Sequence, residues 1–175
     1  MKKNLVLVLL VMTGIAAKAQ ENVIKFNIFS PIVKTFNASY ERKVSATSSF
    51  QLGGFFTSYS PGETNFSGFG ITPEYRFYLS STEAPEGVYV APFVRYQSFK
   101  LTEDTSNSKG TLSTFGGGLV IGKQWIFKEK ISLDIFIGPQ YSSGKVKVTD
   151  GTDTFDTGAF DGFGVRTGLT LGFAF

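Results

Sequence analysis

Gly162-Phe163-Gly164-Val165-Arg166-Thr167-Gly168-Leu169-Thr170-Leu171-Gly172-Phe173-Ala174-Phe175 is the stretch whose reading decides the fold. Phe163, Val165, Leu169, Leu171, Phe173 and Phe175 share one parity. Gly162, Gly164, Arg166, Gly168, Thr170 and Gly172 share the other. Successive side chains of a strand leave opposite faces, so this period of two describes a strand with one large apolar face and one small or polar face.

The same alternation recurs towards the N-terminus. Ile131, Leu133, Ile135, Ile137 and Tyr141 oppose Ser132, Asp134, Gly138 and Gln140. Phe69, Ile71, Tyr75, Phe77 and Leu79 oppose Gly70, Thr72, Glu74 and Arg76, and Ile24, Phe26 and Ile28 oppose Lys25 and Asn27. Eight segments carry the pattern, at about 22–30, 35–43, 49–59, 67–79, 88–99, 112–126, 130–142 and 159–175. The connections at 43–48, 80–87 and 127–130 are fairly short, whereas those at 60–66, 100–111 and 143–158 are longer and more polar. The first connection, near Ser30-Pro31, is short and departs from the trend. An even number of strands with short turns at one end and longer loops at the other predicts an eight-stranded antiparallel up-and-down transmembrane β-barrel.

Parity alone does not say which face meets the core. A soluble sandwich turns its apolar face inward, and a membrane barrel turns it to lipid. Three features favour the second. The apolar faces run for five or six alternate residues, the length of a tilted crossing. Tyr40, Phe77, Tyr96, Trp125 and Tyr141, with Phe173 and Phe175, fall near predicted strand ends, where interfacial aromatics belong. The small face is rich in glycine, as at Gly116, Gly118 and Gly122, which suits a narrow curved lumen.

Residues 1–19 read as a cleaved signal peptide ahead of a single barrel domain over 20–175. Met1-Lys2-Lys3-Asn4 is a basic start, Leu5 to Ala17 an apolar core, and Ala17-Lys18-Ala19 an A-x-A cleavage site. The chain holds 17 Lys and Arg against 14 Asp and Glu, but Lys2, Lys3 and Lys18 belong to the leader. The mature chain is therefore formally neutral, which removes the electrostatic basis for a nucleic-acid partner. With no cysteine and no histidine, disulfides, thiolate or imidazole metal sites and an imidazole base are excluded.

The signal peptide, the eight alternating segments and the final Leu171-Gly172-Phe173-Ala174-Phe175 resemble the small OmpA/OmpX-like outer-membrane β-barrel proteins. Ile71-Thr72-Pro73-Glu74-Tyr75-Arg76-Phe77-Tyr78, Tyr89-Val90-Ala91-Pro92-Phe93-Val94-Arg95-Tyr96 and Gly122-Lys123-Gln124-Trp125 resemble strands of this class. The resemblance implies that Leu169, Leu171, Phe173 and Phe175 form the C-terminal signal read by the barrel assembly machinery, although the glycines stand at 168 and 172 rather than at the usual place. It also implies an outer-membrane location in a Gram-negative cell, both termini periplasmic, and contact with outer-membrane lipid and lipopolysaccharide. No peptidoglycan-binding segment follows the last strand, so the expected likeness is to stand-alone OmpX-like members. Eight-stranded lipid A acyltransferases and deacylases rely on a histidine that this chain lacks.

The inward face is predicted to collect Lys25, Glu41, Glu74, Arg76, Arg95, Asp134 and Arg166. Charges in so narrow a lumen must be paired, which predicts a structural plug of ions and no catalytic group, cofactor or metal. Asp150-Gly151 is a candidate type I′ turn, expected to cap a hairpin over 143–158 that protrudes from the membrane and offers an edge to a surface protein partner. Asp150, Asp153, Asp156 and Asp161 match no calcium-loop spacing. Gly116-Gly117-Gly118 lacks the lysine and helix of a phosphate loop. The expected function is a structural or cell-surface interaction protein without catalysis. The alternative is a narrow channel or a transporter of small hydrophobic molecules of the OmpW-like kind. A soluble barrel of the lipocalin kind is a third reading, disfavoured by the missing Gly-x-Trp near the first strand.

Overall fold

The computed structural model describes residues 21–59, 64–103, 108–150 and 161–175; the leader read over residues 1–19 lies outside them. Eight strands follow in chain order: β1 Asn22–Asn27, β2 Thr35–Ser45, β3 Ser48–Tyr59, β4 Thr64–Tyr78, β5 Gly87–Glu103, β6 Ser108–Phe127, β7 Ile131–Asp150 and β8 Gly162–Ala174. Each pairs antiparallel with the next, and β1 closes on β8, giving a closed eight-stranded barrel. Ile24 stands opposite Phe173 and Phe26 opposite Leu171 across the closing seam. Each of the eight segments read from the sequence carries one strand.

The faces are inverted relative to a soluble barrel. Lys25, Glu41, Arg76 and Asp134 point inward and are 0% exposed, whereas Ile71 and Phe77 are 49% exposed on the outside. The outer surface is a continuous belt of apolar side chains drawn from every strand, among them Phe26, Phe36, Leu52, Val94, Leu119, Ile137 and Leu171. Pro73, Pro92 and Pro139 sit within strands, each facing outward. A proline cannot donate to the ladder, and the β4–β5 and β6–β7 registers skip residues at these points.

Of the aromatics named above, Tyr40, Phe77, Trp125, Phe173 and Phe175 lie towards the short-turn end. Tyr96 is the tenth residue of β5 and Tyr141 the eleventh of β7, so both lie one crossing length higher. Each has an outward aromatic neighbour: Tyr96 packs on Phe69 at 6.4 Å, and Tyr141 on Phe163 at 5.0 Å.

Three local departures from the sequence reading matter. β1 stops at Asn27 instead of running to residue 30. The Asn27 Oδ1 accepts the backbone N–H groups of Phe29 and Ser30 at 3.0 and 3.1 Å, and Pro31 then starts a 3₁₀ turn over Ser30–Val33. Lys34 leaves that turn at φ 51°, which redirects the chain into β2. Second, the loop expected at 100–111 is mostly strand: β5 runs to Glu103 and β6 starts at Ser108, with 104–107 outside the described residues. Third, β7 continues to Asp150, but its described partner beyond Ser142 is β6, with Gly110 opposite Val148 and Lys109 opposite Asp150. Among the described residues the extension is a β5–β6–β7 ribbon. Gly151 and the expected return strand lie outside the described residues.

The belt makes a direct prediction. Ile137 is the seventh residue of β7 and 56% exposed, close to the middle of the apolar band. Ile137→Arg is expected to destabilise the barrel in lipid vesicles by about 2–4 kcal/mol, read by urea unfolding, because it places a cation against hydrocarbon. An unchanged midpoint would mean that this face meets water.

Candidate functional site

The lumen at the short-turn end is filled by a cluster of ions contributed by five strands. Lys25 of β1 meets the carboxylate of Glu41 on β2 and lies 3.2 Å from Asp134 Oδ2 on β7. Arg76 of β4 is the hub. Its Nη1 lies 2.9 Å from Asp134 Oδ2 and 3.4 Å from Glu41 Oε2, and its Nε lies 2.7 Å from Glu74 Oε1. Its guanidinium also covers the Tyr89 ring at 4.2 Å. Arg166 of β8 reaches down to Glu74 Oε2 at 2.6 Å and stacks on Phe93 and Phe136 at 4.4 and 4.7 Å.

Three carboxylates are thus matched by Lys25, Arg76 and Arg166, and the cluster is neutral. Neutrality is what allows it to be dry: an unpaired buried ion costs several kcal/mol, and a paired, hydrogen-bonded one can break even. Uncharged groups complete the network. Tyr78 donates to Glu41 Oε1 at 2.6 Å, Tyr89 donates to Asp134 Oδ1 at 2.8 Å, and Ser49 also donates to Glu41. The Gln124 carbonyl accepts from Lys25 at 2.5 Å and from Arg76 at 3.2 Å, while its amide donates to Glu41 Oε2 and to the Pro85 carbonyl at 3.2 and 2.6 Å. Pro85 belongs to the turn between β4 and β5, so this bond draws the turn over the end of the lumen. A contact from the Ala84 N–H to the Ala46 carbonyl, 2.8 Å, ties the neighbouring turn to it. Outside the barrel wall, Lys43 hydrogen-bonds Glu83 of the same turn and holds that exposed carboxyl below its usual range.

Six of the seven charged residues expected in the lumen therefore meet in one network. Arg95 does not. It lies higher, its Nε donates to Thr72 Oγ1 at 3.1 Å, and no carboxylate among the described residues pairs with it. The charge pattern of the sequence does not single out Tyr78, Tyr89, Gln124 and Ser49 as members. Their parity is the signal that could have found them, since Tyr78 falls on the Arg76 face of β4 and Gln124 on the Gly122 face of β6. Among the described residues no group of carboxylates, histidines or cysteines is arranged to hold a metal ion.

Above the plug the lumen changes character. Phe93, Phe136, Val120 and Ala91 form a buried apolar layer with Tyr78 and Tyr89. Beyond it lies a cavity of about 310 Å³ whose walls include Gln51, Thr72, Arg95, Gln140, Arg166 and Thr170. Phe55 also lines it and stacks on Phe99 at 6.1 Å, which stacks in turn on Phe66 at 5.0 Å.

Fold and site together define a class: a closed eight-stranded barrel stopped at one end by a neutral ion cluster. Residues 5–154 match the family described as Protein of unknown function (DUF3575), and the chain belongs to that family. The matched region takes in β1 to β7; the closing strand β8 follows it. Among solved structures, a major outer membrane protein from Thermus thermophilus shares the fold at a TM-score of 0.54 and 16% identity, over 91% of this chain and 100% of that one. The N-terminal β-barrel domain of OprF from Pseudomonas aeruginosa aligns over 90% of this chain and 100% of that one, at 17% identity and a TM-score of 0.46. No curated protein sequence matches the chain.

The network ranks its members. Arg76→Ala leaves Asp134 and Glu41 short of a cation in a dry site and is expected to cost about 3–5 kcal/mol in urea unfolding. Arg166→Ala should cost less, because its side chain is 9% exposed and pairs with one carboxylate. Equal midpoints for the two variants and the wild type would contradict a packed ionic plug.

Proposed function

We propose that this protein is an integral outer-membrane β-barrel of the OmpA/OmpX-like kind, with a structural or cell-surface interaction role and no catalysis. The observation that carries the reading is the pairing of an outward apolar belt with a dry, neutral plug. The belt demands lipid as outer solvent, and the plug leaves no continuous water path to serve bulk transport. The Thermus protein that shares the fold is a major outer membrane protein, which supports the same location. In this reading both termini face the periplasm, the barrel contacts outer-membrane lipid and lipopolysaccharide, and Leu169, Leu171, Phe173 and Phe175 serve as the assembly signal. The β5–β6–β7 ribbon carries the long-loop side above the bilayer, and the 143–158 segment is the proposed contact for a surface protein partner.

One observation favours the alternative, a transporter of small hydrophobic molecules. Because β1 ends at Asn27, the edge of β8 above Leu169 has no strand partner from β1 among the described residues. Val165 of that edge also borders the cavity. A gap at this depth would join the lumen to lipid.

Two measurements separate these readings. Run on a detergent gel without boiling, the outer-membrane fraction should contain a fast band that slows on heating, as a closed barrel unfolds. Release of the protein by carbonate washing, without such a shift, would refute the membrane reading. In planar bilayers the folded barrel should give no single-channel events, whereas regular conductance steps would favour transport.

A further inference from the structure

We infer that the outer half of the lumen is a binding site for a small oxyanion that also carries hydroxyl or amino donors. Glu74 neutralises Arg166, but Arg95 borders the same cavity with no carboxylate partner among the described residues. Among the described residues the cavity therefore holds one net positive charge, and the two guanidinium groups it contains repel each other unless an anion lies between them.

A second observation is independent of the first. Three polar side-chain atoms lining the cavity are inaccessible yet make no hydrogen bond: Gln51 Oε1, Gln140 Oε1 and Thr170 Oγ1. The side chains of Gln51 and Thr170 belong to residues that are only 4% and 8% exposed. Arg166 Nε is in the same condition. Buried polar groups are almost always satisfied, so four orphans around one space indicate a missing partner. Their chemistry is mixed. Arg95 and Arg166 offer N–H groups to an oxyanion, while the two amide oxygens and the hydroxyl accept from a donor. A carboxylate or phosphate bearing hydroxyl or amino groups answers both demands; a simple fatty acid answers only the first.

Size agrees. A space of about 310 Å³ is the liquid volume of about ten waters, enough for a ligand the size of a sugar acid. The wall also leaves room. A Cβ added at Gly53 would meet only ordinary contacts, the nearest being the Thr72 carbonyl at 3.6 Å, so this inward glycine contributes empty space rather than close packing. The plug beneath closes the far end, so the site is a cup floored by the ion cluster.

The test uses the purified, folded barrel in detergent and isothermal titration with gluconate, glycerol phosphate, sorbitol and laurate. Gluconate or glycerol phosphate should bind, and whichever binds more tightly names the oxyanion. Sorbitol, which has the hydroxyls without the charge, should not bind. Arg95→Ala should weaken binding by about tenfold or more, the loss of a charge-assisted contact. Gly53→Leu should abolish binding by filling the cup. The heat-dependent gel shift reports that each variant is folded, and Arg95→Gln serves if Arg95→Ala is not. Absence of binding by both oxyanions, binding of sorbitol or laurate at equal strength, or unchanged affinity in the folded variants would each overturn the inference.

Discussion

Closure of the hydrogen-bond ladder between β1 and β8 is the constraint on which everything else depends. Where β1 and β8 pair, from Val23 opposite Ala174 to Asn27 opposite Thr170, the sheet has no edge and its backbone groups are satisfied within the ladder. Eight strands close into a cylinder barely wider than its own side chains. The interior must then be filled from within, and the exterior must be apolar. The inverted faces, the inward glycines and the buried ions all follow from that single geometric demand. At Gly172, for instance, a Cβ would collide with the Ile24 backbone carbonyl of the closing partner and with the Lys25 side chain. The seam thus passes beside the plug without room for a methyl group.

The strands are legible in the sequence because each has an apolar outward face and a small or polar inward face, and so alternates. Beyond the apolar belt that contrast disappears. Residues 100–103 and 108–111 extend β5 and β6, and their polar composition reads as loop. The charged members of the plug are visible because charge on an inward parity is conspicuous. Tyr78, Tyr89 and Gln124 are not, since tyrosine on a barrel suggests an interface and glutamine suggests nothing in particular. Their roles depend on register, which brings Gln124 opposite Asp134 and Tyr89 opposite Gly122. At Gly122 the absent side chain makes room for the Tyr89 ring. The early end of β1 is signalled by Pro31, but the side-chain cap from Asn27 that stops the strand is not legible from the pattern of alternation.

The two halves of the lumen solve the same problem differently. Below, cations and carboxylates are matched in number, and each carboxylate meets at least two partners. Above, one arginine is in excess and several acceptors are unmet, so the interior is incomplete. Phe93 and Phe136 mark the division, with Arg166 lying across both rings and joining the two regions through Glu74. Packing and charge balance thereby assign stability to one end of the molecule and leave the other end free for recognition.

The span of the Lys25 contacts has a kinetic meaning. Lys25 reaches Gln124 and Asp134, which lie 99 and 109 residues further along the chain. Glu41 on the neighbouring strand is its one carboxylate partner close in sequence, so the full set of Lys25 contacts is completed only once β6 and β7 are in place. The plug is complete only when the cylinder is shut, so closure of the ladder and burial of these charges are coupled.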